Sequence, residues 1–200
     1  MKNKVFVLVC PVIENYSLNS FYPLERKIEI ENCKNSSLKN QKYTVFALLK
    51  YALENIFNVP FKSVNFYKSS KWESDKFIFS FSHTSSFVAV AVCLKNDNVL
   101  LGVDLEKIQD RFLNLYPKFC SSCEIDFLKN EPNLITEKAC VLWTKKESYF
   151  KANNDLVFVP KNIETSLYSN LFTTQKICSD YYITVFSSLK NVEFIFVEKL

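Results

Sequence analysis

A single glycine, Gly102, serves a chain of 200 residues. Glycine-rich phosphate loops are therefore excluded: neither a Walker loop nor a dinucleotide-binding fingerprint can be written with one glycine. A G-x-S-x-G nucleophile elbow is equally absent, which disfavours a Ser-His-Asp hydrolase. Left-handed turn positions must pass to asparagine, which tolerates them. Asn153-Asn154-Asp155 reads as the end of the last helix, and Lys95-Asn96-Asp97-Asn98 as a turn.

The apolar fraction of 48%, with 16% aromatics, supports a sizeable core and excludes a disordered chain. The net charge of +4 favours anionic ligands or acidic partners without indicating nucleic acid. Phe6 to Ile13 is apolar after Lys2 and Lys4, but Pro11 interrupts it and no small-residue cleavage site follows, so a first strand is expected. No run approaches the ~18 apolar residues of a membrane span. Seven cysteines, an odd number, are expected as free thiols in a reducing, cytoplasmic compartment. Cys120-Ser121-Ser122-Cys123 is a lone CxxC without a second ligand pair, a weak signal for metal or redox chemistry.

Periodicity predicts a strand over Val5–Val12, an irregular polar stretch over Leu18–Ser37, and a helix over Leu38–Asn58 ended by Pro60. A short strand follows at Val64–Tyr67, then a polar segment over Lys68–Lys76. Phe77, Phe79 and Phe81 alternate with Ile78, Ser80 and Ser82 along the next strand. Phe87–Leu94 and Val99–Glu106 read as a β-hairpin. Helices are expected at Arg111–Tyr116, Ser121–Lys129 and Thr136–Ala152, and short strands at Phe158–Val159, Leu167–Thr173, Tyr182–Phe186 and Phe194–Val197. This order suggests an α+β fold of two halves, 1–98 and 99–200, as a pseudo-repeat, each half with a small antiparallel sheet packed on helices.

Asp104 and Glu106 are two apart in a predicted strand, so their carboxylates share a face. Two hard oxygen donors suit Mg²⁺, and the alternative is a solvated strand end. Glu147 and Lys151 are four apart on a helix, neighbours on one face, with Trp143 a turn earlier. They read either as a third metal ligand or base with a phosphate contact, or as an ordinary surface pair. His83, the only histidine, sits among Ser82, Thr84, Ser85 and Ser86, where it could hold a phosphate or merely a turn.

Taken together, Phe81-Ser82-His83-Thr84, Gly102-Val103-Asp104-Leu105-Glu106 and Trp143-Thr144-Lys145-Lys146-Glu147-Ser148-Tyr149-Phe150-Lys151-Ala152 resemble the three signature motifs of the 4′-phosphopantetheinyl transferases. Their spacing is similar to the two-half, monomeric type that activates nonribosomal-peptide, polyketide and fatty-acid carrier proteins, and this resemblance implies that the two similar halves form a pseudo-dimer with the active site at their interface. The resemblance implies transfer of phosphopantetheine from coenzyme A to a serine of an acidic apo carrier protein, with release of 3′,5′-ADP. It implies Asp104, Glu106 and Glu147 as Mg²⁺ ligands, Glu147 also as base, and Lys151 on the phosphates. Ser82 and His83 would contact the nucleotide phosphates. The family's Gly-Lys-Pro segment is matched only by Ser70-Lys71-Trp72, with Lys68 as rival to Lys71. Arg26, Lys27, Lys42 and Lys50 are the candidates to grip coenzyme A. A non-catalytic relative that binds coenzyme A or a carrier, and an unrelated α+β interaction protein, are the rival readings. Neither nucleic acid nor a membrane is an expected partner.

Overall fold

The computed structural model describes residues 3–14, 22–96, 98–153 and 157–200. Asn154, Asp155 and Asp97, on which two turn expectations partly rest, lie outside them, as do residues 18–21 of the stretch read as irregular. The chain divides into two compact units, residues 1–99 with 189–200, and residues 100–188.

The first unit is a four-stranded sheet, order β4-β5-β1-β9, and two main helices. Strand β1 (Lys4–Pro11) is buried over its middle six residues, as a central strand should be. It pairs antiparallel with β5 (Phe87–Leu94) and parallel with β9 (Asn191–Phe196). Strand β4 (Phe77–His83) pairs antiparallel with β5, through a turn in which the Thr84 hydroxyl accepts from Phe87 N at 3.0 Å. The β4 alternation sends Phe79 and Phe81 to one face, where Phe81 meets Phe46 with ring centroids 5.6 Å apart. Phe46 belongs to helix α2 (Ser36–Tyr51), which starts where the Asn35 side chain accepts from Leu38 N at 2.9 Å. Helix α2 continues into a π-helical turn, Ala52–Ile56, and Pro60 lies beyond. Phe46, Leu48, Leu49 and Leu53 form a core with Val88, Val90 and Val92 of β5.

Four expectations are corrected here. The stretch read as irregular contains helix α1 (Leu24–Glu31), whose core-facing residues are Arg26 and Ile30. A buried arginine in the apolar stripe hid the helical period. The polar segment after Lys68 forms half of a small hairpin, β2 (Phe66–Lys68) with β3 (Trp72–Ser74). Strand β5 does not pair with the strand that follows it; its edges are already filled by β1 and β4. Finally, the boundary at 98/99 assigned the whole tail to the second half, yet β9 and Val197 complete the first unit, Val197 N donating to Val9 O at 2.8 Å.

The second unit holds a three-stranded antiparallel sheet, order β6-β8-β7: β6 (Leu101–Lys107), β7 (Phe172–Ile177) and β8 (Tyr181–Ser187). Helix α5 (Ile135–Ala152) packs on β6 and β8. Helix α3 (Arg111–Phe119) and helix α4 (Ser122–Lys129) complete the core through Phe112, Phe119 and Leu128. The N-cap of α4 is Ser121, in a capping box with Glu124. No strand forms at 158–159, and Thr165–Leu171 is 3₁₀-helical before β7 begins. Both units are α+β, as expected.

The seven cysteines are free. Burial pushes the Cys120 thiol up to about 12, so this half of the CxxC is inert at neutral pH. Among the described residues, no helix is long and apolar enough to cross a membrane.

One buried ion pair ties the second unit together. Lys146 of α5 is fully buried, its Nζ 2.7 Å from Glu124 Oε2 and donating to the carbonyls of Pro160 (2.9 Å) and Ile163 (2.5 Å). Glu124 also accepts from Ser121 N at 2.9 Å and Thr165 Oγ1 at 2.9 Å. Lys146→Ala should cost ~3–5 kcal/mol, because it leaves a buried charge without its partner. Pairing Lys146→Met with Glu124→Gln should recover much of that loss, since the amide oxygen can still accept from Ser121 N while the amide NH2 donates to the Thr165 hydroxyl, which is able to accept. Urea midpoints decide it: a single variant within ~1 kcal/mol of wild type would show that the pair is not structural.

Candidate active site

Along β6, Gly102, Asp104 and Glu106 occupy one face by the period of two, and Val103 and Leu105 are buried on the other. The first face meets helix α5. At Gly102 a Cβ would lie 1.9 Å from the Ser148 carbonyl oxygen and 2.7 Å from Ala152 N. Only hydrogen fits there. On α5 the residues at this contact are Ser148 and Ala152, four apart and small, so backbone approaches backbone.

That approach brings distant sequence positions together. Lys151 Nζ lies 2.7 Å from Asp104 Oδ1, and Asp104 is only 4% exposed. Glu147, one turn before Lys151, is half-buried. Burial raises its pKa, Lys151 draws it back, and the Asp104 charge raises it again. Glu106 accepts from the Trp143 indole Nε1 at 3.2 Å through Oε1 and is paired with Arg111 Nη2 at 2.6 Å through Oε2. Burial, and then Asp104, push the Glu106 pKa up to about 6 against the pull of Arg111 and Trp143. Each of these carboxylates thus feels its neighbour across β6 and α5.

Asp104, Glu106 and Glu147 supply only hard oxygen donors, and their mutual repulsion is what a divalent cation such as Mg²⁺ would relieve. The donor set fits such an ion in its chemistry. In this structure the carboxylates are divided between side-chain cations, Lys151 on Asp104 and Arg111 on Glu106. Among the described residues, no three His, Cys, Asp or Glu side chains are gathered at metal-binding positions.

The remaining expected residues lie in the first unit. Ser82 is buried and His83 exposed at the end of β4. Lys71 is half-buried in the β2–β3 connection, where burial lowers its ammonium pKa. Lys27 is half-buried on α1. Lys42 Nζ and Arg26 Nη1 share one carboxylate, Glu29, at 3.1 and 2.9 Å, with Trp72 Nε1 at 3.1 Å. Burial opposes ionisation of Glu29, but the hydrogen bonds from Trp72, Lys42 and Arg26 and the arginine charge hold its pKa near 2. Arg26 is 4% exposed, lies 4.5 Å over the Phe46 ring and donates to the Lys42 carbonyl. These contacts engage both Nη atoms of its guanidinium inside the unit, while the buried Nε has no hydrogen-bond partner there.

Sequence reasoning missed Arg111, used there only as a helix start, and gave no role to Lys146. The five-residue separation of Glu106 and Arg111 across a strand end carries no recognisable period.

A family model described as the 4′-phosphopantetheinyl transferase superfamily matches residues 100–190. The match spans Asp104, Glu106, Glu147 and Lys151 and stops short of Ser82 and His83. Comparison with curated proteins gives no match.

Two outcomes are expected at this site. Gly102→Ala must part β6 from α5, so it should destabilise by at least the ~1–3 kcal/mol of an overpacked core and weaken the Lys151–Asp104 pair. A melting temperature equal to wild type would mean the two backbones are not in contact. For Glu106, the folded pKa of about 6 lies above the ordinary value of 4.5, so its favourable contribution is full below pH 4.5 and is lost as pH rises through 6. Glu106→Gln should therefore flatten the stability–pH curve in that window, by up to ~2 kcal/mol. Urea unfolding at a series of pH values reads this, and an unchanged slope would contradict it.

Proposed function

We propose the following reaction for this protein, supported by the match of residues 100–190 to the family model of the 4′-phosphopantetheinyl transferase superfamily. It moves the 4′-phosphopantetheine arm of coenzyme A to a serine of an apo acyl or peptidyl carrier protein and releases 3′,5′-ADP. The observation that carries this reading is the Asp104–Lys151 pair, with Glu147 one turn away and Glu106 on the same strand face.

In the proposed reaction the serine oxygen bonds to the phosphorus that bears the pantetheine arm. The bond from that phosphorus to the oxygen of 3′,5′-ADP breaks. Glu147 takes the serine proton, directly or through water. Its half-buried setting raises its proton affinity, which suits a base. Lys151 stabilises charge on the phosphates, and Asp104 orients the ammonium. Asp104, Glu106 and Glu147 would hold Mg²⁺, which when bound neutralises pyrophosphate charge. Such transfer depends on positioning and electrostatics more than on covalent help from the protein.

Ser82, His83, Lys71, Lys27 and Lys42 are proposed as contacts for the nucleotide end of coenzyme A, without Arg26. The net charge of +4 suits an acidic carrier. We take the working form to be a monomer in the cytoplasm.

Incubation with coenzyme A, Mg²⁺ and an apo carrier, followed by intact mass of the carrier, tests the reaction. The carrier should gain one phosphopantetheine, and Glu147→Gln should abolish the gain while keeping the wild-type melting temperature. A Glu147→Gln protein with wild-type turnover would remove this residue from the mechanism. Carriers of both the fatty-acid and peptide type left unmodified, despite measurable binding of coenzyme A, would favour a binding protein instead.

A further inference from the structure

We propose that Arg111 is a displaceable counter-ion for Glu106: a positioning residue that pairs with this carboxylate until a divalent cation takes its place. The inference rests on the reading of Asp104, Glu106 and Glu147 as ligands of that cation.

The chain has two arginines, Arg26 and Arg111. Arg26 is locked in the first unit. Arg111 is held differently: its side chain is 47% exposed and grips Glu106 Oε2 through Nη2 at 2.6 Å. An ion pair of that exposure is weak, because solvent screens it and the long side chain gives up freedom to form it.

The helix that carries Arg111 does nothing to keep it there. Arg111 is the first residue of α3, the end where the helix dipole disfavours a cation, and no acidic residue lies in that first turn. The guanidinium also has somewhere to go. It already lies 4.9 Å from the Phe112 ring centroid, and it borders a cavity of about 240 Å³ lined by Phe112, Leu115, Phe119, Trp143 and Pro160, with the cation Lys118 also on its wall. Aromatic faces accept a guanidinium without needing a carboxylate.

Glu106 would keep its aim after the exchange. Its other oxygen is held by the Trp143 indole at 3.2 Å, and Trp143 is fixed edge-to-face against Phe119 with centroids 5.0 Å apart. The other side-chain cation is unlike Arg111. Lys151 reaches a carboxylate that is only 6% exposed, and it is reserved for the phosphates under the proposed function. Arg111 therefore keeps two adjacent carboxylates tolerable without metal, and yields when metal arrives.

Two measurements on the intact protein test this, with Mn²⁺ as the probe ion. Phenylglyoxal, a dicarbonyl reagent for arginine, should label Arg111 faster when Mn²⁺ is added, with Arg26 as the buried internal reference. Calorimetric titration should show Arg111→Gln binding Mn²⁺ about two- to fivefold tighter than wild type, and Arg111→Lys close to wild type, since removing a half-exposed competitor is worth about that factor. A merely structural arginine would loosen the site when removed, not tighten it. The labelling arm stands even where the variant does not fold. Mn²⁺ binding with unchanged Arg111 labelling, or an Arg111→Gln protein that binds Mn²⁺ no tighter, overturns the counter-ion role and leaves the metal reading intact. Absence of Mn²⁺ binding in both wild type and Arg111→Gln overturns both.

Discussion

The missing Cβ at Gly102 sets the distance between β6 and α5, and the site depends on that distance. Ser148 and Ala152 bring the helix backbone to within contact of the strand. Two residues along β6 the same geometry delivers Asp104 to Lys151, and two further on it delivers Glu106 to Trp143, five residues before Ser148 on α5. Positions 102 and 104 of β6 thus meet the last turn of α5, residues 148–152, and position 106 meets Trp143 about two turns earlier, so strand and helix run in opposite senses. A side chain at 102 would move all three contacts together, because a strand and a helix are each stiff over this length.

The consequence is electrostatic. Burial removes water that would screen these carboxylates, and close approach lets both Glu106 and Glu147 feel the charge of Asp104. Glu106 responds with a pKa near 6 and Glu147 with a raised one. Such a site needs cations, and Lys151 and Arg111 supply them on opposite sides. Helix α5 also carries a second lysine with another task. Lys146 and Lys151 are five apart, roughly 140° around the helix, whereas Glu147 and Lys151 are only about 40° apart. The rotation sends Lys146 into the core toward Glu124 and leaves Lys151 with the carboxylates.

Much of this was legible in the residue order. The period of two in β6 and the four-residue step in α5 are local rules, and they placed Asp104, Glu106, Glu147 and Lys151 on the faces where they are found. The Phe77, Phe79, Phe81 alternation and the α2 stripe held for the same reason. What failed was non-local. The apparent hairpin of residues 87–106 had the right turn residues, but each strand found better partners, β5 with β1 and β4, and β6 with β8. The return of β9 to pair in parallel with β1 spans nearly the whole chain, and no window of sequence contains it.

Charged residues were the harder case, because a sequence does not state what faces them. Arg26, Lys146, Arg111 and Lys151 are all cations amid apolar neighbours, and each could be taken for a ligand grip. Burial separates them. Arg26 and Lys146 are at most 4% exposed, and each is surrounded by fixed acceptors: Glu29 and the Lys42 carbonyl for one, Glu124 with two carbonyls for the other. A cation so enclosed cannot leave without exposing a buried charge, so it serves the fold. Arg111 keeps about half its side chain in solvent and faces a partly exposed carboxylate, so it can exchange its partner at small cost, whereas Lys151 is partly exposed but can leave buried Asp104 only if another cation replaces it. The same four-carbon or guanidinium chemistry thus becomes scaffold or machinery according to how many acceptors the fold closes around it.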